Sequence, residues 1–152
     1  MTKFKETAIE PFLDAFECAQ INAPDALMIH AAAGNGEIVQ LEYRCHSDNH
    51  GMRSVHPNGG AQGFPFKSLR VDDLGIQVLH LLKIDSEGSE PRIIDGAAST
   101  ISRLRPVLMV EANPHFIGQE GCAKLKLQIE SLGYAVKGVP QTNAWDWIGI
   151  PK

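Results

Sequence analysis

Two nearly continuous apolar runs mark the second half of the chain, at Val78–Ile84 and at Val107–Val110. Runs of this kind are typical of strands that are buried on both faces of a parallel sheet. Between them, the apolar residues of Ser89–Arg105 recur at helical spacing, and a proline follows directly. The segment from Val78 to Glu111 therefore predicts a right-handed β-α-β crossover.

The rest of the chain alternates between helical and extended patterns, and the frequent Gly and Pro of residues 45–65 predict a loop. The predicted helices are Pro11–Ala23 and Cys122–Leu132, and the further predicted strands are Ala26–Ala33, Glu37–Arg44, Tyr134–Val139 and Trp145–Ile150. The fold class that follows is α/β, with a mainly parallel sheet and an antiparallel strand at the C-terminal end.

Composition narrows the class of protein. The 152 residues are 43% hydrophobic and 21% charged, which fits one domain with a sizeable core. The net charge of -4 argues against nucleic acid or an anionic membrane as a partner, because both attract Lys and Arg. No run approaches the roughly 18 apolar residues of a membrane span, and no signal-peptide pattern is present. Cys18, Cys45 and Cys122 lie far apart, so we expect reduced thiols and a cytoplasmic protein.

Carboxylates follow the two buried strands at the point where each strand ends. Asp85 ends the first strand, Glu87 follows two residues later, and Glu111 ends the second strand. Open α/β sheets bind ligands outside the carboxyl ends of their strands, which predicts a shared site. The period of two places Lys83 on the same side of the strand as Asp85. An acid after a strand also commonly caps the next helix, and for Glu87 both roles stay open.

The region around these acids resembles a known family. Its sequence is KIDSEGSEPRIIDGAASTISRLRPVLMVEANP, and it is similar to the signature of FkbM-type methyltransferases. That signature has a K-I-D-x-E-G-x-E strand end, a helix with a Gly-Ala pair, and a strand closing in Glu. Three upstream pieces, AIEP, AAAGNGEIVQLEY and FKSLRVDDL, also fit the family. The resemblance covers about Ala8 to Val139 and implies a Rossmann-like class I methyltransferase sheet.

The resemblance implies that S-adenosylmethionine is the cofactor and that the reaction is an O-methylation of a small-molecule or sugar hydroxyl. Glu10 would accept hydrogen bonds from the two ribose hydroxyls, and Ala32 would lie near the adenine. Asp85 would face the methionine end and the acceptor. Asp85 or Glu87 would act as the general base, with Glu111 as the third carboxylate of the catalytic edge.

One part of the family pattern does not occur in this sequence. Class I methyltransferases hold the cofactor with a glycine-rich turn after their first strand, whereas the first glycine here is Gly34. We therefore expect residues 1–152 to form a single, partial methyltransferase domain that lacks the N-terminal strand and turn. The family's strand order, 3-2-1-4-5-7-6, makes that strand central. Its absence would leave an edge of Val78–Ile84 open for pairing with another chain.

Other functions remain possible from the residues alone. The three strand-end carboxylates would suit a Mg²⁺ ion and phosphoryl chemistry, since hard cations prefer oxygen ligands. His46, His50 and His56, together with Asp48, contain zinc-ligand types, although their spacing matches no specific zinc motif and favours a solvated or substrate-facing loop. A non-catalytic remnant that acts as an interaction module through its open sheet edge is the third alternative.

Overall fold

The architecture is taken from a computed structural model, which describes residues 5–42, 54–56, 64–142 and 145–152. Strands in these ranges form sheets of order β1-β2, β4-β3-β5 and β6-β7-β9-β8. The elements are β1 (Thr7–Glu10), α1 (Leu13–Asn22), β2 (Leu27–His30), β3 (Ile38–Glu42), β4 (Ser54–His56), β5 (Phe64–Lys67), a 3-10 turn (Val71–Leu74), β6 (Leu81–Ile84), α2 (Glu90–Gly96), α3 (Ala98–Leu104), β7 (Val107–Glu111), α4 (Pro114–Ser131), β8 (Tyr134–Gly138), a second 3-10 turn (Pro140–Thr142) and β9 (Asp146–Pro151).

The predicted crossover between the two apolar runs is confirmed. Strands β6 and β7 are parallel neighbours, with Ile84 opposite Val110. The helix between them is divided into α2 and α3, because Ala97 has φ -113° and ψ 0°, outside the helical range. Its side chain is fully buried, together with Ile94 and Ile101 from the two helices. The break therefore lies inside the hydrophobic core.

The prediction that the first apolar run is buried on both faces is wrong. Strand β6 begins at Leu81, and Val78 and Leu81 are 69% and 55% exposed. Leu82 and Ile84 point to the other face and belong to the core cluster that also contains residues of α2 and α3. One face of β6 is thus covered by helices and the other faces solvent.

The sheets are more antiparallel than the sequence predicts. Among the strands in the described ranges, β1 with β2 and β6 with β7 are parallel pairs. Strand β3 is antiparallel to β4 and β5, and β9 is antiparallel to β7 and β8. The α/β class and the C-terminal antiparallel strand are confirmed, and parallel pairing holds for two pairs only.

Part of the segment predicted as loop is strand. Strands β4 and β5 fall within or overlap residues 45–65, and both pair with β3. Their Gly- and Pro-rich surroundings hid them, and Pro65 itself lies opposite Gln40 in the ladder. A proline is tolerated there because β5 is an edge strand of its sheet.

The fourth helix is longer than its apolar pattern predicts. It begins at Pro114 instead of Cys122, with Asn113 as its cap and a proline in the first turn. Gly118 interrupts it with φ 71° and ψ 165°, so the helix contains a kink. The buried residues all follow the kink, which explains why the apolar pattern revealed only the second part. In the described ranges, no helix is long and apolar enough to cross a membrane.

A close contact between two glycines joins the first half of the chain to α2. A Cβ atom on Gly96 would lie 1.9 Å from the carbonyl oxygen of Gly34. Gly34 also donates its amide to the Leu69 carbonyl, and Leu69 donates to Ala32. Only glycine permits this approach, which explains the glycine of the Gly-Ala pair in α2.

Candidate functional site

The carboxylates of Asp85 and Glu111 lie beside each other at one sheet edge. Glu111 is the last residue of β7, and Asp85 follows directly on β6. The parallel register pairs Ile84 with Val110, so the next position on each strand carries a carboxylate. The structure thus brings together two of the three acids that we predict to be catalytic.

Their proximity changes the acidity of Glu111. Its pKa is raised from 4.5 to about 6, first by burial and then by the negative charges of Asp85 and Glu90. A hydrogen bond from the Asn113 side chain, 3.4 Å from Oε1, acts in the opposite direction. A negative charge at short distance disfavours ionisation, so Glu111 holds its proton to an unusually high pH.

Lys83 balances part of this negative charge. Its Nζ lies 2.9 Å from Oδ2 of Asp85, which confirms that the two side chains share a side of the strand. The pKa of Lys83 is raised, mainly by this hydrogen bond and further by the charges of Asp85, Asp146 and Glu111. Asp146 lies opposite Glu111 in the β7–β9 ladder. The edge therefore carries three carboxylates around one ammonium group.

Sequence reasoning missed Asp146 and Asn113 as members of this cluster. The position of Asp146 depends on the antiparallel register of β9, which the sequence does not specify. Asn113 had a visible signal, because Asn before a Pro is typical of a helix cap. Its Oδ1 accepts the His115 amide at 3.0 Å, and its Nδ2 donates to Glu111. The cap of α4 thus positions a donor at the acidic edge.

The loop after β6 contains the third predicted catalytic acid. Glu87 is half-buried and has φ 50°, a left-handed conformation that is rare outside glycine. The N-cap position of the next helix, α2, is Ser89, and it makes no side-chain cap hydrogen bond. Glu90 accepts hydrogen bonds from the backbone of Ser86 and Gly88 and is 2% exposed. The catalytic role of Glu87 stays a prediction.

Glu10, the residue that we predict to bind the ribose, ends strand β1 of a different sheet. Its Oε1 accepts the Phe12 amide at 2.8 Å, at the start of α1. Its partner across the parallel ladder is His30, whose Nε2 lies 3.1 Å from the Pro11 carbonyl oxygen. Glu10 therefore lies at the carboxyl end of a strand, in a sheet that does not include Asp85 or Glu111.

Ala32, the residue that we predict to lie near the adenine, is fully buried against Phe12 and Val39. Its predecessor, Ala31, lines an open cavity of about 580 Å³ and donates its amide to the Glu10 carbonyl. The other lining residues come from the turn after β2 and from the segment around β5: Asn35, Gly36, Lys67, Ser68, Leu69, Arg70 and Asp73. A ligand at this position would contact the backbone around Ala32 and not its methyl group.

The metal alternatives gain no support. His46, Asp48 and His50 lie outside the described residues, and His56 ends β4. In the part of the chain that the structure describes, no group of three or more His, Cys, Asp or Glu side chains is arranged to hold a metal ion. The Mg²⁺ alternative for Asp85, Glu87 and Glu111 is therefore not confirmed.

Comparisons with known proteins cover Asp85 and Glu111 of this carboxylate edge. A family model described as "Methyltransferase FkbM domain" matches residues 3–136. A solved structure of a methyltransferase FkbM from Methylobacillus flagellatus KT is similar, with a TM-score of 0.59 and 18% sequence identity. The match covers 94% of this chain and 36% of that chain, so this chain spans about a third of the solved one. A search of curated proteins finds no match.

The solved structure shows the fold, and the family model shows the family. That model covers the signature with Asp85, Glu87, Glu90 and Glu111, and it also covers Glu10. The resemblance found in the sequence is therefore confirmed: the chain belongs to the FkbM methyltransferase family, a membership that suggests methyltransferase activity.

Proposed function

We propose that this chain supplies the carboxylate edge of an S-adenosylmethionine-dependent methyltransferase that methylates a hydroxyl of a small-molecule or saccharide acceptor. The observation that supports this most directly is the pair formed by Asp85 and Glu111. Burial and the neighbouring charge raise the pKa of Glu111 to about 6. A general base is most effective when its pKa lies near the working pH, so Glu111 is suited to accept a hydroxyl proton.

The cofactor, when bound, supplies a methyl group on a positively charged sulfur, which keeps the electron pair of the broken carbon–sulfur bond. Glu111 would take the proton of the acceptor hydroxyl as the hydroxyl oxygen is methylated. Asp85, held by Lys83 at 2.9 Å, accepts a hydrogen bond that orients the acceptor. Glu87, in the next loop, stays a candidate for the same proton transfer. Adjacent carboxylates suit a saccharide, which offers several hydroxyl donors.

The residues on the first sheet fit the nucleoside portion of the cofactor. Glu10 uses Oε1 for the Phe12 amide, and a carboxylate has about four acceptor positions, so it can also accept from a ribose diol. The cavity beside Ala31 measures about 580 Å³. Small-molecule sites have volumes of about 300–1,000 Å³, so adenine would fit beside Ala32.

Titration with S-adenosylmethionine, followed by amide NMR shifts, tests the proposal. We expect weak binding, near millimolar, which corresponds to about 4 kcal/mol. The Glu10→Ala variant should bind about 10- to 150-fold more weakly, because a hydrogen bond to a charged group contributes about 1.5–3 kcal/mol. Glu120→Ala is the matched control, since Glu120 is an exposed acid of α4. Equal binding by the wild type and Glu10→Ala, or shifts away from the strand ends, would contradict the proposal.

We also propose that another polypeptide segment pairs with the outer edge of β6. Within the described ranges, β6 has β7 as its strand neighbour, whereas β7 lies between β6 and β9. Unpaired strand edges attract other strands. In the monomer we expect the outward amides of β6 to exchange hydrogen faster than those of β7, and pairing to slow them. If all β6 amides of the monomer were protected from hydrogen exchange, the open edge would be contradicted. If β6 paired with another segment but the protein did not bind the cofactor, the non-catalytic alternative would be favoured.

A further inference from the structure

Glu90 is a buried carboxylate whose hydrogen bonds point back to the loop that precedes it. It is 2% exposed, although it lies in the first turn of α2. Its Oε1 accepts the Ser86 amide at 3.0 Å and the Ser86 hydroxyl at 2.8 Å. The Gly88 amide lies 3.1 Å from both carboxylate oxygens. The donors replace the water that a buried carboxylate loses, which makes the burial tolerable.

These hydrogen bonds bend the backbone on both sides of Glu87. Because the amides of Ser86 and Gly88 converge on one carboxylate, the chain between them curls around it. Glu87 has φ 50° and Gly88 has φ 112°, so two successive residues are left-handed. A non-glycine residue keeps such a conformation only where its surroundings enforce it. The carboxylate of Glu90 provides that enforcement.

The loop that Glu90 folds carries the predicted catalytic acids. Asp85 directly precedes Ser86, and Glu87 lies between the two bonded amides. We propose that Glu90 is a positioning residue, whose carboxylate folds residues 85–89 around itself and so holds Asp85 and Glu87 at the strand edge. The significance for catalysis rests on the proposed methyl transfer, whereas the loop geometry does not depend on it.

A double-mutant cycle separates positioning from simple stabilisation. Glu87→Gly should raise the melting temperature of the wild type, because glycine adopts the left-handed conformation without strain. In the Glu90→Leu background the increase should vanish. Leu fills a similar buried volume but accepts no hydrogen bond from Ser86 or Gly88, which releases the loop and its strain. A group that only stabilises the core would leave the effect of Glu87→Gly unchanged.

Asp72→Asn is the matched control. Asp72 is also a nearly buried acid, and it accepts the amides of Ser99 and Thr100 at the start of α3. Within the described residues, the side-chain hydrogen bonds of Asp72 go to Arg70, Ser99 and Thr100, and not to residues 85–89. We therefore expect Asp72→Asn to lower the melting temperature while the increase from Glu87→Gly persists. Loss of the increase in this background would show that it reports general stability, which would overturn the proposal.

Amide hydrogen exchange provides a second measurement that needs no ligand. In Glu90→Leu, which has no acceptor for the amides of Ser86 and Gly88, both amides should exchange about tenfold faster. This ratio corresponds to a lost hydrogen bond of about 1.4 kcal/mol. If that variant does not fold, Ser86→Ala, which removes the hydroxyl donor alone, should accelerate exchange at Gly88. Unchanged exchange, or an unchanged Glu87→Gly increase, overturns the positioning role. Failure of the wild type to bind S-adenosylmethionine contradicts the proposed function instead, since neither loop measurement requires binding.

Discussion

Replacing Glu111 by Gln should stabilise the protein at neutral pH. The pKa of Glu111 is raised by burial and by the charges of Asp85 and Glu90, so its ionised form is disfavoured in the folded state. Gln has nearly the same shape and retains an oxygen that accepts the hydrogen bond from Asn113. The substitution therefore removes the charge and leaves the packing of β7 in place.

The size of the effect follows from the acidity. A pKa raised from 4.5 to about 6 corresponds to about 2 kcal/mol of folding free energy. Because the side chain is only partly buried, solvent screening reduces this to about 1 kcal/mol. The folded state binds more protons than the unfolded state between these values, so wild-type stability falls as pH rises through this window. The penalty is fully present above about pH 6 and absent below 4.5.

Urea unfolding of the wild type and of Glu111→Gln, at about pH 7.5 and at about pH 4, measures this. We expect Gln to add about 1 kcal/mol at the higher pH and nothing at the lower one. Glu120→Gln is the control, because the hydrogen bond and charge of Lys124 lower the pKa of Glu120 and give its pH dependence the opposite sign. A Glu111→Gln variant that is less stable at the higher pH, or equally shifted at both, would refute the account of the acidic edge.

Three further substitutions, Gly96→Ala, Asp72→Asn and Arg105→Lys, test the fold that supports the edge, and Gly75→Ala is the control for the first. Gly96→Ala should destabilise the protein by about 2 kcal/mol or more, because the added Cβ would lie 1.9 Å from a carbonyl oxygen. At Gly75 an added Cβ would have no atom within 4 Å, so Gly75→Ala should cost only about 1 kcal/mol, for the left-handed backbone. Asp72→Asn should cost about 1–2 kcal/mol of folding free energy at neutral pH. Burial alone would raise the pKa of Asp72, but the hydrogen bonds from α3 outweigh burial and lower the pKa. The loss of stability should therefore shrink as the pH falls through the pKa of Asp72 in the wild type. Arg105→Lys should cost about 1–2 kcal/mol, since lysine cannot bond both the Leu132 and Gly133 carbonyls as the guanidinium does. Denaturant unfolding measures all of them, and a neutral Gly96→Ala or an unshrinking loss for Asp72→Asn would contradict these contacts.

The elements that the sequence predicts well are those in which one pattern dominates. The short apolar run of Val107–Val110 favours a buried strand, and the helical spacing of Ser89–Arg105 ends at a proline. The β6–β7 pair and its crossover follow directly. The break at Ala97 was not predictable, because the apolar spacing continues through it and the close approach of Gly96 to a distant carbonyl is a tertiary contact.

Elements that depend on distant pairing were missed. Strands β4 and β5 are short and exist through their partner β3, so their own sequence carries little signal. Asp146 reaches the acidic edge through the register of β9, which places it opposite Glu111. Local spacing predicted the adjacency of Asp85 and Glu111, since both end neighbouring parallel strands, but it could not reveal a third carboxylate that arrives from the end of the chain.

The signature around β6 shows how acids with the same chemistry acquire different functions within six residues. Asp85 has a side chain that is 49% exposed and faces an ammonium group and a second carboxylate, so a ligand can reach it. Glu90 is 2% exposed and is surrounded by backbone donors, so it can act only on the loop. Glu87 lies between them, in a conformation that Glu90 enforces. Partners and exposure, and not residue type, therefore decide which acid can touch a substrate. The spacing of the signature lets one buried acid hold the loop that carries an exposed Asp85 and a half-buried Glu87.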